Sequence, residues 1–149
     1  MSTEYTNGNG YQTKNALIGI TLMFSFLSEP LHADGIDDLI SHYASLAKTE
    51  SQSFEDFDPE RGKELYLTQF STGKIDTPSC TSCHTSDPTQ VGETRAGKAI
   101  DPMAVSMSPE RYQTLKKAEK WFGRNCRSVL GRECTSIEKG DFLSFMKGL

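Results

Sequence analysis

Apolar residues recur at helical spacing in four stretches of this chain, and the segments between them are polar and rich in Gly, Pro and Thr. Ile36, Leu39, Ile40, Tyr43, Ala44 and Ala47 fall at i, i+3, i+4, i+7, i+8 and i+11, which is one face of an amphipathic helix. Asp37 and Asp38 stand in its first turn, where the helix dipole favours acids. After a polar connector from Lys48, Asp58 and Pro59 supply an N-cap and a first-turn proline for a second helix carrying Gly62, Leu65, Tyr66 and Phe70. Ser108 and Pro109 repeat that signal and predict a third helix with Tyr112, Leu115, Ala118 and Phe122 on one face, ending at Gly123. Thr135 and Glu138 form a capping box for a terminal helix bearing Ile137, Phe142, Phe145 and Met146. No segment shows a convincing period of two, so the expected class is all-α.

A different pattern occupies the N-terminus. Ala16 to Leu27 is an apolar run too short to span a bilayer, preceded by Lys14 and followed by Leu31, His32 and Ala33, a small-residue cleavage site. Residues 1–33 are expected to be a cleaved signal peptide and 34–149 a single domain, exported to a periplasm, with no stable membrane insertion. An uncleaved anchor and a start codon placed too early are the competing readings. No cysteine lies near the cleavage point, against a lipoprotein.

Composition narrows the partners. The chain carries 16 basic and 20 acidic side chains, net −4, and its basic residues do not interleave with aromatics, so no nucleic acid is expected. Arg111, Lys116, Lys117, Lys120, Arg124 and Arg127 nevertheless crowd one region. They read either as a solvated helix face or as a rim that steers an acidic redox partner or an anion.

The chemistry lies in Cys80, Thr81, Ser82, Cys83 and His84, a C-x-x-C-H run in which two thiols attach haem and the histidine takes one axial position of the iron. One covalent haem c is the expected cofactor. The four cysteines also allow an all-cysteine zinc centre, but Cys126 and Cys134 lack the usual repeat of C-x-x-C; a thioredoxin-type dithiol lacks its βαβ context here. In so small a domain the haem must form much of the core, among Tyr66, Tyr112, Trp121, Phe122, Phe142 and Phe145. For the sixth position the domain offers His42, Met103, Met107 and Met146. The stretch before the last helix, where a small cytochrome c would place a ligating methionine, contains none.

Three runs, Asp76 to His84 (DTPSCTSCH), Thr94 to Ile100 (TRAGKAI) and Lys120 to Cys134 (KWFGRNCRSVLGREC), resemble the sphaeroides haem protein type, an oxygen-binding, high-spin branch of class I cytochrome c. The resemblance covers nearly all of residues 34–149 and implies a class I cytochrome c fold with an extra N-terminal helix and a haem-centred core. It implies that Asn125 is the sixth ligand of ferric iron and swings away on reduction, opening a site for dioxygen or nitric oxide. It also implies a disulfide between Cys126 and Cys134, the default for two spare thiols in an oxidising compartment, and electron delivery by a dihaem cytochrome c. An amide oxygen is a hard donor, better matched to ferric than to ferrous iron.

Read without the resemblance, Asn125 is a helix C-cap or turn residue after Gly123. Pro102 matches the proline whose carbonyl takes the proximal histidine N–H in class I cytochromes c, or is a plain loop proline. Arg124 reads as a partner for a haem propionate or as surface charge. Three functions stay open: a ligand-binding redox protein, with or without turnover as a terminal reductase for oxygen or nitrogen species; a low-spin electron shuttle with a methionine or His42 as sixth ligand; and a haem-free zinc or disulfide module.

Overall fold

A computed structural model describes residues 35–149. The expected signal peptide, residues 1–33 with its cleavage point near Ala33, lies outside the described residues. The elements in chain order are α1 (Ile36–Glu50), α2 (Pro59–Leu67), α3 (Thr81–His84), β1 (Gly92–Glu93), β2 (Ala99–Ile100), α4 (Leu115–Val129) and α5 (Ser136–Lys147).

Where a cap signal stands unopposed, it sets the boundary. The Gly35 N–H donates to the Asp38 carboxylate at 3.4 Å ahead of α1, and Asp58 accepts the Glu60 N–H at 2.8 Å to open α2. Thr135 and Glu138 exchange their bonds at 3.1 and 2.8 Å, the capping box expected for α5. Three boundaries differ from expectation. α2 stops at Leu67, so Phe70 lies beyond it, where its N–H donates to the Pro78 carbonyl at 2.7 Å. Ser108 opens only a turn, in which the Arg111 N–H donates to its carbonyl at 3.1 Å, because Tyr112 is drawn inward to give its hydroxyl proton to the Met103 carbonyl at 2.9 Å. Thr114 caps α4 instead, accepting from the Lys117 N–H. Nor does Gly123 end that helix; it continues to Val129, and Gly131, at φ 72°, supplies the left-handed residue of the stop. A two-residue hairpin, Gly92 opposite Ile100 and Glu93 opposite Ala99, is the small β element that periodicity did not foresee.

The core gathers around α5. Leu39 and Tyr43 of α1, Tyr66 of α2, and Phe142, Leu143 and Met146 of α5 pack with Tyr112 and Ala118. The α2 and α5 helices cross in contact at Gly62, where a Cβ would come 2.1 Å from the Asp141 carbonyl oxygen. The buried Asp141 carboxylate locks that crossing, accepting from Arg61 Nε at 2.8 Å, from an Arg61 terminal nitrogen at 2.9 Å and from the Asp58 N–H at 2.7 Å. Phe122 brings α4 into the core, edge-on to Tyr43 at 5.9 Å and to Phe142 at 5.6 Å. No helix among the described residues is long and apolar enough to cross a membrane.

Cys126 and Cys134 form a disulfide with their Cα atoms 5.6 Å apart, tying the last turns of α4 to the start of α5. Closing a loop of sequence separation 8 stabilises the fold by about 2.5 kcal/mol in the chain-entropy view. The Cys126→Ser, Cys134→Ser double variant should therefore unfold at a lower urea midpoint, with an unfolding free energy smaller by that amount.

Candidate haem site

The segment leading into Cys80 is strapped to the end of α4. Lys74 donates its N–H to the Ser128 carbonyl at 2.7 Å, the Thr77 and Ser128 hydroxyls pair at 2.8 Å, and Thr72 gives its hydroxyl proton to the Leu130 carbonyl at 2.8 Å. None of these pairings had a signature in the sequence. At the turn itself the N–H groups of Cys83 and His84 both donate to the Cys80 carbonyl, at 3.3 and 3.1 Å, and Ser79 pairs with Thr81 at 2.6 Å. One helical turn thus presents Cys80, Cys83 and His84 together. Gly92 passes so close that a Cβ there would meet the Cys83 carbonyl oxygen at 2.2 Å.

Both thiols of the motif are free. Burial pushes the Cys80 thiol up to about 11 against a weaker opposing backbone hydrogen bond, so it is held as the neutral thiol against the main core. Since Cys126 and Cys134 are committed to each other, the all-cysteine zinc centre does not form. No group of three or more His, Cys, Asp or Glu side chains among the described residues is placed to hold a metal ion.

His84 is placed by its backbone. The Tyr66 hydroxyl is within hydrogen-bond reach of the His84 and Thr85 carbonyls, at 2.5 and 2.8 Å, across a bend where Thr85 adopts φ 48°. A non-glycine residue in that region costs of order 1–3 kcal/mol, and Tyr66 together with the Thr85 hydroxyl bond to the Asp87 carbonyl holds it there. Tyr66 was legible only as core filler, because a tyrosine on an apolar stripe does not reveal where its hydroxyl reaches. Burial first, and then the positive charge of Arg111, push the His84 imidazole down to about 4. It is therefore neutral at pH 7, the form that ligates a metal.

His84 Nδ1 is buried without a hydrogen-bond partner. The expected bond to the Pro102 carbonyl is not formed. The chain around Pro102 is held by other contacts: Arg111 donates to the Asp101 carbonyl at 2.9 Å and approaches the Met103 sulfur at 3.2 Å, while the Met103 N–H donates to the Pro88 carbonyl at 2.8 Å. An orphaned, buried ring nitrogen costs about 1–3 kcal/mol, and Nδ1 is the nitrogen expected to donate to Pro102 rather than the one that would face iron. Two free thiols and a neutral imidazole carried on one helical turn fit covalent haem with histidine ligation.

Asn125 is neither a C-cap nor a turn residue. It lies inside α4, exposed, one turn after Trp121 and one turn before the buried Val129. Ser128, which holds Thr77, is three residues on, so the helix of Asn125 is fastened to the segment that delivers Cys80. The other candidate donors are engaged in contacts of their own. Met146 is fully buried in the core, Met103 faces Arg111, Met107 closes an exposed turn, and His42 stands edge-on to Tyr43 at 5.3 Å on α1.

The basic cluster divides. Arg111 turns inward and Arg127 pairs with Glu133, whereas Lys116, Lys117, Lys120 and Arg124 make no salt bridge among the described residues. Lys120 and Arg124 lie over the Trp121 ring at 5.5 and 5.7 Å.

Residues 52–146 match a family described as "Domain of unknown function (DUF1924)". The chain is 43% identical to the cytochrome c-type protein SHP of Cereibacter sphaeroides over 83% of its own length and 95% of the relative. It is 27% identical to cytochrome c'' of Methylophilus methylotrophus over 88% and 90%. The structure of oxidised SHP, described as an oxygen-binding cytochrome c, superposes with a TM-score of 0.71 at 44% identity, covering 76% of this chain and 96% of that one. A solution structure of cytochrome c'', described as giving insight into haem-ligand detachment, gives 0.65 at 27% identity, covering 74% and 90%. In sequence and in fold alike, the chain belongs to the SHP family of class I c-type cytochromes, whose cofactor is a covalently bound haem c.

Proposed function

We propose that this chain is an exported monohaem cytochrome that accepts electrons and binds small diatomic ligands, dioxygen or nitric oxide, at a position gated by Asn125. Cys80 and Cys83 would attach the haem and His84 would ligate its iron. The haem supplies an iron that changes oxidation state and has a sixth position open to exchange.

The observation that carries the reading is the place of Asn125: an exposed amide inside a continuous helix, with anchored residues on both sides, where neither a cap nor a turn accounts for it. The amide oxygen is a hard, neutral donor, adequate for ferric iron and poorly matched to ferrous iron. Reduction would release it. The SHP structure is described as oxygen-binding and that of cytochrome c'' in terms of haem-ligand detachment, and both descriptions agree with such a gate. The four cations of α4 that make no salt bridge among the described residues suit an acidic electron donor, for which a dihaem cytochrome c is the family's precedent. Export of residues 34–149 after loss of the leader accords with haem attachment and with the disulfide.

Absorption and electron paramagnetic resonance spectra of the ferric holoprotein test the assignment. Asn125→Ala should change the ferric spin-state signature and speed imidazole association by about tenfold or more, a barrier lowered by about 1.4 kcal/mol or more. Identical spectra and identical rates in wild type and variant would remove Asn125 from the iron.

A further inference from the structure

We propose that Tyr43, Glu119 and Lys139 form a clamp through which α1 and α5 set where α4 holds Asn125, making the N-terminal helix a positioning element for the sixth ligand. The inference rests on Asn125 being that ligand.

Along α4 the residues tied to the rest of the fold fall into two groups. Downstream of Asn125 stand Cys126, in its disulfide, and Ser128 and Leu130, bonded to the segment before Cys80. Upstream, Ala118 and Phe122 contribute apolar packing, and Glu119 is the side chain there that bonds to other helices. It accepts the Tyr43 hydroxyl proton at 2.6 Å, and each of its two oxygens accepts from Lys139 Nζ at 2.9 Å. One carboxylate therefore joins α1, α4 and α5.

Tyr43 and Lys139 have little alternative to Glu119, whose own side chain is 43% exposed. Tyr43 is fully buried, and the Lys139 side chain is only 12% exposed. Lys139 Nζ also sits 5.3 Å over the Tyr43 ring and 5.9 Å over that of Phe122. Displacing α4 would strand a buried phenol and a largely buried ammonium, each of which costs free energy when unpaired. Burial, and then the bond and charge of Glu119, keep Tyr43 far above the usual phenol range and so a donor at any working pH. Burial alone would raise Glu119, but the hydrogen bonds from Tyr43 and Lys139 and the lysine charge bring it below the usual carboxylate range, so it stays an acceptor.

Such a device is needed because apolar contacts are non-directional. Ala118 and Phe122 would tolerate a small slide or roll of α4 that three directed bonds do not. A weak amide ligand, by contrast, needs placement within about 0.5 Å. Asn125 lies six residues beyond Glu119 on the same helix, so any slack at the clamp is transmitted to it.

Imidazole association with the ferric holoprotein, followed by stopped flow together with the ferric spin-state spectrum, tests the clamp. Glu119→Leu should speed association by about tenfold and Tyr43→Phe by a smaller factor. Glu119→Gln, whose Oε1 still accepts from Tyr43 but which removes the charge facing the Lys139 ammonium, should fall between Glu119→Leu and wild type. Lys147→Met breaks an exposed ion pair between α1 and α5 without touching α4 and should leave the rate unchanged. The clamp is overturned if Glu119→Leu matches wild type while Asn125→Ala is fast, or if Lys147→Met accelerates as much as Glu119→Leu, which would indicate general loosening. A wild-type rate in Asn125→Ala would remove the ligand assignment itself, and the clamp with it.

Discussion

Replacing Gly62 by alanine should destabilise the holoprotein by more than about 3 kcal/mol, at or beyond the upper end of ordinary overpacking costs. The added methyl would lie 2.1 Å from the Asp141 carbonyl oxygen, 2.5 Å from its carbonyl carbon and 2.9 Å from the Phe142 nitrogen. All three are backbone atoms, so no side-chain rotation relieves the clash and α2 must move away from α5. That movement also pulls Arg61 and the Asp58 N–H from the buried Asp141 carboxylate. Tyr66, whose hydroxyl reaches the His84 and Thr85 carbonyls, is carried on the same helix. The motif histidine should thus loosen together with the core. Gly123→Ala is the internal comparison. The nearest atom to a Cβ there is a Glu133 side-chain oxygen at 3.8 Å, and alanine is favoured over glycine inside a helix by about 1 kcal/mol. Urea unfolding of the two variants should therefore move the midpoint in opposite directions.

The second large effect concerns the cofactor. The Cys80→Ala, Cys83→Ala double variant should lose all haem on acid-acetone extraction, whereas wild type should retain it. Single variants should keep a haem joined through one thioether, with an altered reduced spectrum. Cys126→Ser with Cys134→Ser should keep its haem, because those sulfurs are bonded to each other. Extraction of haem from the wild-type protein would refute covalent attachment at Cys80 and Cys83.

Much of the architecture was legible wherever a local signal had no rival. Asp58 with Pro59, and Thr135 with Glu138, placed the starts of α2 and α5 because each cap satisfies helix N–H groups within its own turn. Ser108 with Pro109 carries the same signal as Asp58 with Pro59, yet the bond from Tyr112 to Met103 keeps that segment out of a helix and leaves the cap to Thr114. Gly123 was the expected stop; packing of Cys126 and Val129 carries the helix past it. The hairpin is too short for any period to show. For the site, C-x-x-C-H declared itself by its residues alone. Asn125 emerged only through resemblance, since the same residue read locally as a cap. Tyr66, Arg111, Thr77 with Ser128, and Glu119 with Lys139 act across long sequence separations that no local pattern encodes.

The most direct measurement of the central claim is the spectrum of the wild-type holoprotein after reduction, before and after addition of nitric oxide. A high-spin ferrous form that binds nitric oxide promptly is the result expected if Asn125 leaves the iron on reduction. A six-coordinate, low-spin ferrous form that takes up nitric oxide only slowly, or a ferric methionine–iron charge-transfer band, would contradict the gate and identify an electron carrier with a permanent sixth ligand.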